Sequence, residues 1–196
     1  MAILPKLDAV NFILSSIGES PVNSLSSGNA DAEAAERKID EVLRNVLAKG
    51  WDCNTFYDLV LVPNISGEIV LPTTTLKVDS SDVDTILRVT FRAGKLYDMA
   101  ANSYVFTKSV TVNLVELQEF DDLPYSLASY VMCRAGRIFQ EGSMSSAALD
   151  GFTKRREDEA WAAWQDENAD TSNDNVLQSS ASARFIAQRR NAQWGS

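Results

Sequence analysis

The chain of 196 residues contains no histidine. That removes the side chain that most often serves as a general base near neutral pH, activates a serine or cysteine nucleophile, or ligates zinc. Cysteine is almost as scarce. Cys53 and Cys133 lie far apart without metal-site spacing, and they read as free thiols of a reducing compartment rather than a disulfide framework. No apolar run approaches the roughly 18 residues of a membrane-spanning helix, so no membrane insertion is expected. The opening MAILPKLDAV has no basic region ahead of a long apolar stretch, so no secretory signal is expected. Neither G-x-x-x-x-G-K nor G-x-G-x-x-G occurs, which leaves no phosphate-cradling loop. Basic residues are the minority, 18 Lys and Arg against 27 Asp and Glu. They form no stripe of the kind that holds nucleic acid by counterion release.

What the chain does have is a clear change of hydrophobic period. In residues 1–50, Val10, Ile13, Leu14 and Ile17 fall at helical spacing and Gly18 stands as a stop. A second helix starts near Asn29 or Asp31, either of which can cap it. Ala32, Ala35, Ile39, Val42, Leu43, Val46 and Leu47 form its apolar stripe, and Lys49 and Gly50 mark its end. The link between the two, ESPVNSL, stays apolar at Val22 and Leu25 where a surface loop would turn polar. A first helix this short is marginal alone, so the link is expected to fold back as a corner over the helical stripe.

From residue 57 the period is two. DLVLVPN, GEIVLP, LKVD, TILRVTFRAGKLYDMA, SYVF and VTVNLVEL read as short strands of an antiparallel sheet, with a hairpin turn at Gly94-Lys95. From residue 120 the period is helical again. Asp121 and Asp122 precede Pro124, and Leu127, Tyr130, Val131, Arg134, Ala135 and Ile138 line one side. A last helix is expected over 144–168, with Leu149, Phe152, Ala160, Trp161 and Trp164 among the charges of KRREDE. The remainder is polar with scattered apolar anchors, Val176 and Leu177 among them. The expected fold class is α+β: a helical bundle from the N- and C-terminal helices, an inserted antiparallel β-region and an extended C-terminal arm. The expected boundaries are 1–56 with 120–168 for the bundle, 57–119 for the β domain and 169–196 for the arm.

Without histidine, only carboxylates could carry acid–base chemistry. Asp79, Asp82 and Asp84 cluster in DSSDVD, but the spacing and the missing glycine do not fit a calcium loop. A glycosidase needs two carboxylates on facing walls of a cleft, and among 27 acids a pair can always be chosen, so the sequence carries no such signal. The cluster reads as a solvated acidic loop. KRREDE reads as an exposed helix face with i,i+4 pairs such as Arg155–Glu159, and Trp161 and Trp164 read as core. No catalytic residue, metal or cofactor is expected. Arg184, Phe185, Ile186, Arg189, Arg190 and Trp194 make the arm basic and aromatic-anchored, which suits a segment that orders on a neighbouring subunit.

Two stretches carry a resemblance. Ala9-Val10-Asn11, Ile17-Gly18-Glu19, Pro21-Val22, Asn29, Asp31-Ala32, Gly50-Trp51 and Asn54-Thr55 occur in order, and 120–140 supplies FDDLPYSLASYVMCRAGRIFQ. Together they cover about a third of the chain. They resemble tail tubular protein A, the head-to-tail adaptor family of short-tailed, autographivirus-type podoviruses. The resemblance implies a structural virion protein of the tail, made in the bacterial host cytoplasm. It implies a self-assembled ring of about twelve copies that joins the portal protein to the nozzle (tail tubular protein B), with tail fibres near that joint. DNA would pass through the ring during ejection without specific binding, and acids such as Asp79, Asp82 and Asp84 would line the lumen or its loops. The alternatives are a carboxylate-dependent glycan hydrolase and a glycan- or fibre-binding tail module.

Overall fold

A computed structural model describes residues 3–81, 87–143 and 147–179. Among these residues the fold is α+β, with four α-helices and small antiparallel sheets. Helix α1 (Lys6–Ser16) ends as its sequence dictates. Gly18 adopts φ +84°, the Glu19 N–H donates to Leu14 O at 3.0 Å and the Gly18 N–H to Ser15 O at 3.2 Å. These two bonds satisfy carbonyls that the helix end leaves open, in the geometry glycine permits most easily. The corner that follows folds back onto α1. The Asn11 side-chain amide donates to Val22 O at 3.0 Å and its oxygen accepts from the Val22 N–H at 2.8 Å. Val22 and Leu25 then pack against the helical core.

Helix α2 (Ala30–Leu47) is capped by Asn29, whose oxygen accepts from the Asp31 and Ala32 N–H groups. All seven residues of its expected stripe are buried. Helix α3 (Tyr125–Ser143) starts directly after Pro124, and helix α4 runs from Ala147 to Ser179. Helix α4 therefore continues past the expected boundary at 168. No proline or glycine interrupts residues 152–179, so nothing stops helix propagation there. Residues 169–179, Val176 and Leu177 among them, are helical rather than part of an extended arm. Residues from α1, α2, α3 and α4 contribute to one apolar cluster, with Ile13, Ile39, Leu47, Phe120 and Leu127 at its centre.

The β-region has a second apolar cluster, built on Ile69, Leu96, Phe106, Val112 and Leu114. Strand β1 (Thr55–Leu61), β5 (Val110–Glu116) and β2 (Thr75–Ser80) form an antiparallel sheet in the order β1-β5-β2. Strands β3 (Val89–Arg92) and β4 (Lys95–Asp98) form a separate ribbon. Its turn is centred on Ala93-Gly94 rather than Gly94-Lys95, because Arg92 and Lys95 pair directly. Both turn residues have positive φ, +51° and +75°, as the tight hairpin with matched twist requires. GEIVLP and SYVF do not form strands. They contribute the single bridges Val70–Lys95 and Asp98–Ser103 and place Ile69, Leu71 and Phe106 in the core. Alternation there records burial on one side without a continuous ladder partner.

The KRREDE segment divides. Arg155 and Glu159 form the exposed i,i+4 pair at 3.0 Å, but Glu157 faces inward and is buried. There it accepts from Arg134 at 3.0 Å and Arg137 at 2.5 Å. Arg134, read as part of an apolar side of α3, thus holds a buried carboxylate on α4. Trp164 is buried and Trp161 partly buried, both in the helical core.

Trp51 and Asn54 join the two cores. The Trp51 ring meets Trp161 and Trp164 edge-on, at centroid distances of 5.7 and 5.5 Å. Such pairs contribute about 0.5–1.5 kcal/mol each beyond their buried area. The Asn54 side chain donates to Leu47 O at 3.0 Å, at the end of α2, and to Glu116 O at 2.8 Å, at the end of β5. Its oxygen accepts from the Trp51 N–H at 2.8 Å. Replacing Asn54 with Ala would leave two buried carbonyls and one N–H without these partners. We expect a loss of roughly 2–4 kcal/mol, read as a shifted urea midpoint.

Among the described residues, four groups have raised pKa values. Burial opposes the Lys6 ammonium, but Asp40 and Glu36 at 2.8 and 3.1 Å outweigh it. Burial pushes the Cys53 thiol from 9.0 to about 11 and raises the Cys133 thiol. Partial desolvation of an exposed ring, then the hydrogen bond to Asp52, raises Tyr57. Above about pH 9 the folded state accordingly binds more protons than the unfolded state at these groups, so stability falls as pH rises. Urea midpoints measured from pH 7.5 to 10.5 should decline steadily above pH 9. A flat profile would contradict these environments.

Candidate assembly interface

The exposed apolar side chains are concentrated in one part of the chain. Among the described residues, eleven large hydrophobic side chains are exposed, and nine of them lie between Phe56 and Val105. The helical part contributes only Ile3 and Tyr125. Strand β1 accounts for much of this asymmetry. Among the described residues it has a strand partner on one side only, β5, whereas β2 lies against β3. Leu59 and Leu61 face the β core, which turns Val60 and then Val62 outward, 59% and 73% exposed. Sheet edges are ordinarily protected by charges, proline or bulges. Here the protection is local: a bulge between Phe56 and Leu59 with Asp58 at φ +53°, and Pro63 after the strand. Leu59-Val60-Leu61-Val62 carries no charge.

The bulge is itself held in place. The Asp58 N–H donates to Asn113 Oδ1 at 3.0 Å, and the Asp58 carboxylate accepts from the Ser81 hydroxyl across the face of β5. Beyond Pro63 the chain makes a tight hydrogen-bonded loop. Asn64 Oδ1 accepts from the Ser66 and Glu68 N–H groups at 2.9 and 3.0 Å. The Asn64 N–H donates to Glu68 O and the Gly67 N–H to Asn64 O, both at 2.8 Å. Gly67 packs so closely that a Cβ there would lie 2.8 Å from Val105 Cγ1, and its φ is +77°. This loop presents Ile65 fully to solvent. An apolar tip on a fixed loop loses little conformational freedom on docking.

The expected site residues separate. Asp79 is exposed on β2 and pairs with Lys77 at 2.5 Å. Asp82 and Asp84 lie outside the described residues, as do Arg184, Phe185, Ile186, Arg189, Arg190 and Trp194. Several other acids of the middle region have structural partners. Asp121 accepts from the Lys6 N–H at 2.6 Å, Glu68 pairs with Lys95 at 2.7 Å, and Asp98 accepts from the Ala100 and Ala101 N–H groups. An open depression of about 340 Å³ is lined by Cys53, Gln118, Asp121 and Asp122 among others. Its two carboxylates are adjacent on one turn rather than on facing walls. The β1 edge was missed in the sequence because alternation marks a strand but not which strand ends a sheet. The LVLVP run, apolar on both faces before a proline, was its one available signal.

These environments predict opposite outcomes two residues apart. Gly67→Ala should destabilise by about 2 kcal/mol or more, from strain at positive φ and overlap with Val105. Ile65→Ser should stay within about 0.5 kcal/mol of the parent. Urea titrations of the two variants decide this, and equal effects would contradict the packed-base, open-tip geometry.

The family model described as Tail tubular protein matches residues 7–174 of this chain. Tail tubular protein A of Klebsiella phage KP34 is 30% identical to it over 126 residues, 64% of this chain and 66% of that relative. The aligned stretch thus spans just under two thirds of the relative's length. The match begins within α1 and reaches into α4, so it takes in the helical core, the Trp51–Asn54 corner and the β1 edge together. The chain belongs to the tail tubular protein family and is a structural component of a phage tail.

Proposed function

We propose that this chain forms a closed ring in the virion, as a head-to-tail adaptor that joins the portal to the tail nozzle and contributes to the channel for DNA. The observation that carries the reading is the concentration of exposed apolar side chains on and around the β1 edge. In a tail component, such a surface is best accounted for by repeated contact with other subunits. The 1–56 and 120–168 segments form the body of this adaptor, and 57–119 faces neighbours and nozzle. Portal, nozzle protein and tail fibres are its partners.

The charge balance supports the channel. Residues 51–123 hold eleven acids and five bases. Duplex DNA carries one negative charge per about 1.7 Å of axis, so an acidic wall repels it and lets it slide. Asp79 and the neighbouring Asp82 and Asp84 are the acids assigned to that wall or its loops. The basic terminal segment, with Arg184, Phe185, Ile186, Arg189, Arg190 and Trp194, reaches a neighbouring copy or the portal.

Native mass spectrometry and negative-stain imaging of the chain with and without portal protein test this reading. A ring that forms alone, or that appears on the portal, is the expected result. A persistent monomer that ignores the portal would refute it and bring forward a fibre- or glycan-binding role.

A further inference from the structure

We infer that the β1 edge, from Leu59 to Val62 with Ile65 beside it, is the receptor for residues 180–196 of a second copy of this chain, which adds along the edge as a strand. The assignment to a second copy rests on the proposed ring, in which each subunit offers one edge and one terminal segment.

Three observations converge on this occupant. First, among the described residues β1 has no strand partner on the side away from β5, and it carries an uncharged apolar run, the surface onto which an extended peptide adds a strand. Second, the charges are complementary. From Gly50 to Leu76 the chain has three acids, Asp52, Asp58 and Glu68, and no Lys or Arg. Residues 180–196 have three bases, Arg184, Arg189 and Arg190, and no acid. Glu68 already pairs with Lys95, and Asp52 has one oxygen buried and the other bonded to the Tyr57 hydroxyl, so Asp58 is the principal counter-charge. Asp58 sits on β1 itself and is exposed. Third, the terminal segment carries an apolar, strand-favouring pair that can anchor it on the edge. It contains no proline, and its adjacent Phe185 and Ile186 favour extended backbone.

Reach is sufficient. Helix α4 passes the start of α3, where Ser126 donates to Glu167, and continues to Ser179. The seventeen residues from 180 to 196 span roughly 55 Å when extended. The Val60 and Val62 side chains offer the alternate-residue contacts that specify register in an added strand.

The binding test uses full-length protein carrying F185D and I186D, so that its own segment does not compete. The probe is a fluorescein-labelled synthetic peptide of residues 180–196. We expect a saturable rise in anisotropy. Binding should weaken by about tenfold or more when the host also carries V60K and V62K. It should weaken likewise when the peptide carries F185D and I186D. Far-UV circular dichroism checks the host fold, and an I65D host serves if the double lysine variant is disturbed. No binding, or binding that the edge substitutions leave unchanged, overturns the proposal.

A second measurement assigns the copy. Full-length V62C mixed with full-length I186C under mild oxidation should give a disulfide-linked dimer. S80C, on the other edge strand, should not. A link that forms only within one chain carrying both V62C and I186C overturns the assignment to a second copy. Neither measurement needs portal or nozzle, so a failure of portal docking and a failure of this contact are separable.

Discussion

The Asn54 carboxamide is 1% exposed and divides its hydrogen bonds between the two apolar cores of the chain. One N–H ends α2 and the other ends β5, while its oxygen fixes the Trp51 backbone. This places the Trp51 ring between Trp161 and Trp164, so that α4 is clasped at the point where helices give way to strands. Gly50 makes the approach possible. Its φ is +78°, and a Cβ there would lie 3.1 Å from Val115 on β5. A buried amide satisfied on three sides is a demanding junction, because each partner is left unpaired if it shifts. The orientation of the β-region relative to the helices depends on it.

Around this junction the acidic excess has a mixed character. Glu157 is buried between two arginines, Asp121 satisfies the N–H of Lys6 at the start of α1, and Asp58 stabilises a bulge. A net charge of −9 therefore overstates how much acid is free at the surface. What remains, such as Asp79, is exposed and lightly paired. Acids held in specific contacts serve the fold, buried or exposed, whereas free exposed ones act through a screened long-range field.

Apolar surface is distributed just as unevenly. Among the described residues, the helical part covers nearly all its large apolar side chains, and the β-region leaves many exposed around a fixed loop and a one-sided strand. That contrast separates a body that covers its apolar side chains from a region that leaves them in solvent. The hydrogen bonds of Asn64 and the tight seat of Gly67 keep Ile65 presented rather than folded inward.

The sequence by itself determined the elements whose signals are local. The 3.6-residue stripe of α2, the Asn29 cap and the Gly18 stop depend on neighbours within a few residues, and each is found where the pattern puts it. The two-residue period located β2 and β5 for the same reason. It failed at GEIVLP and SYVF, because alternation reports burial on one side and a strand also needs a partner at ladder distance. The polar stretch after 168 has the pattern of an arm, yet with no breaker the helix continues to Ser179. Only the tertiary structure decided that Glu157 turns inward, that Asn54 spans both cores and that β1 is the open edge. Those facts depend on residues 20, 62 and 55 positions away (Arg137, Glu116 and Asn113). Local pattern carries no information about contacts at that separation. They are fixed by the cost of leaving a buried polar group unpaired, which is felt only once the chain has closed on itself.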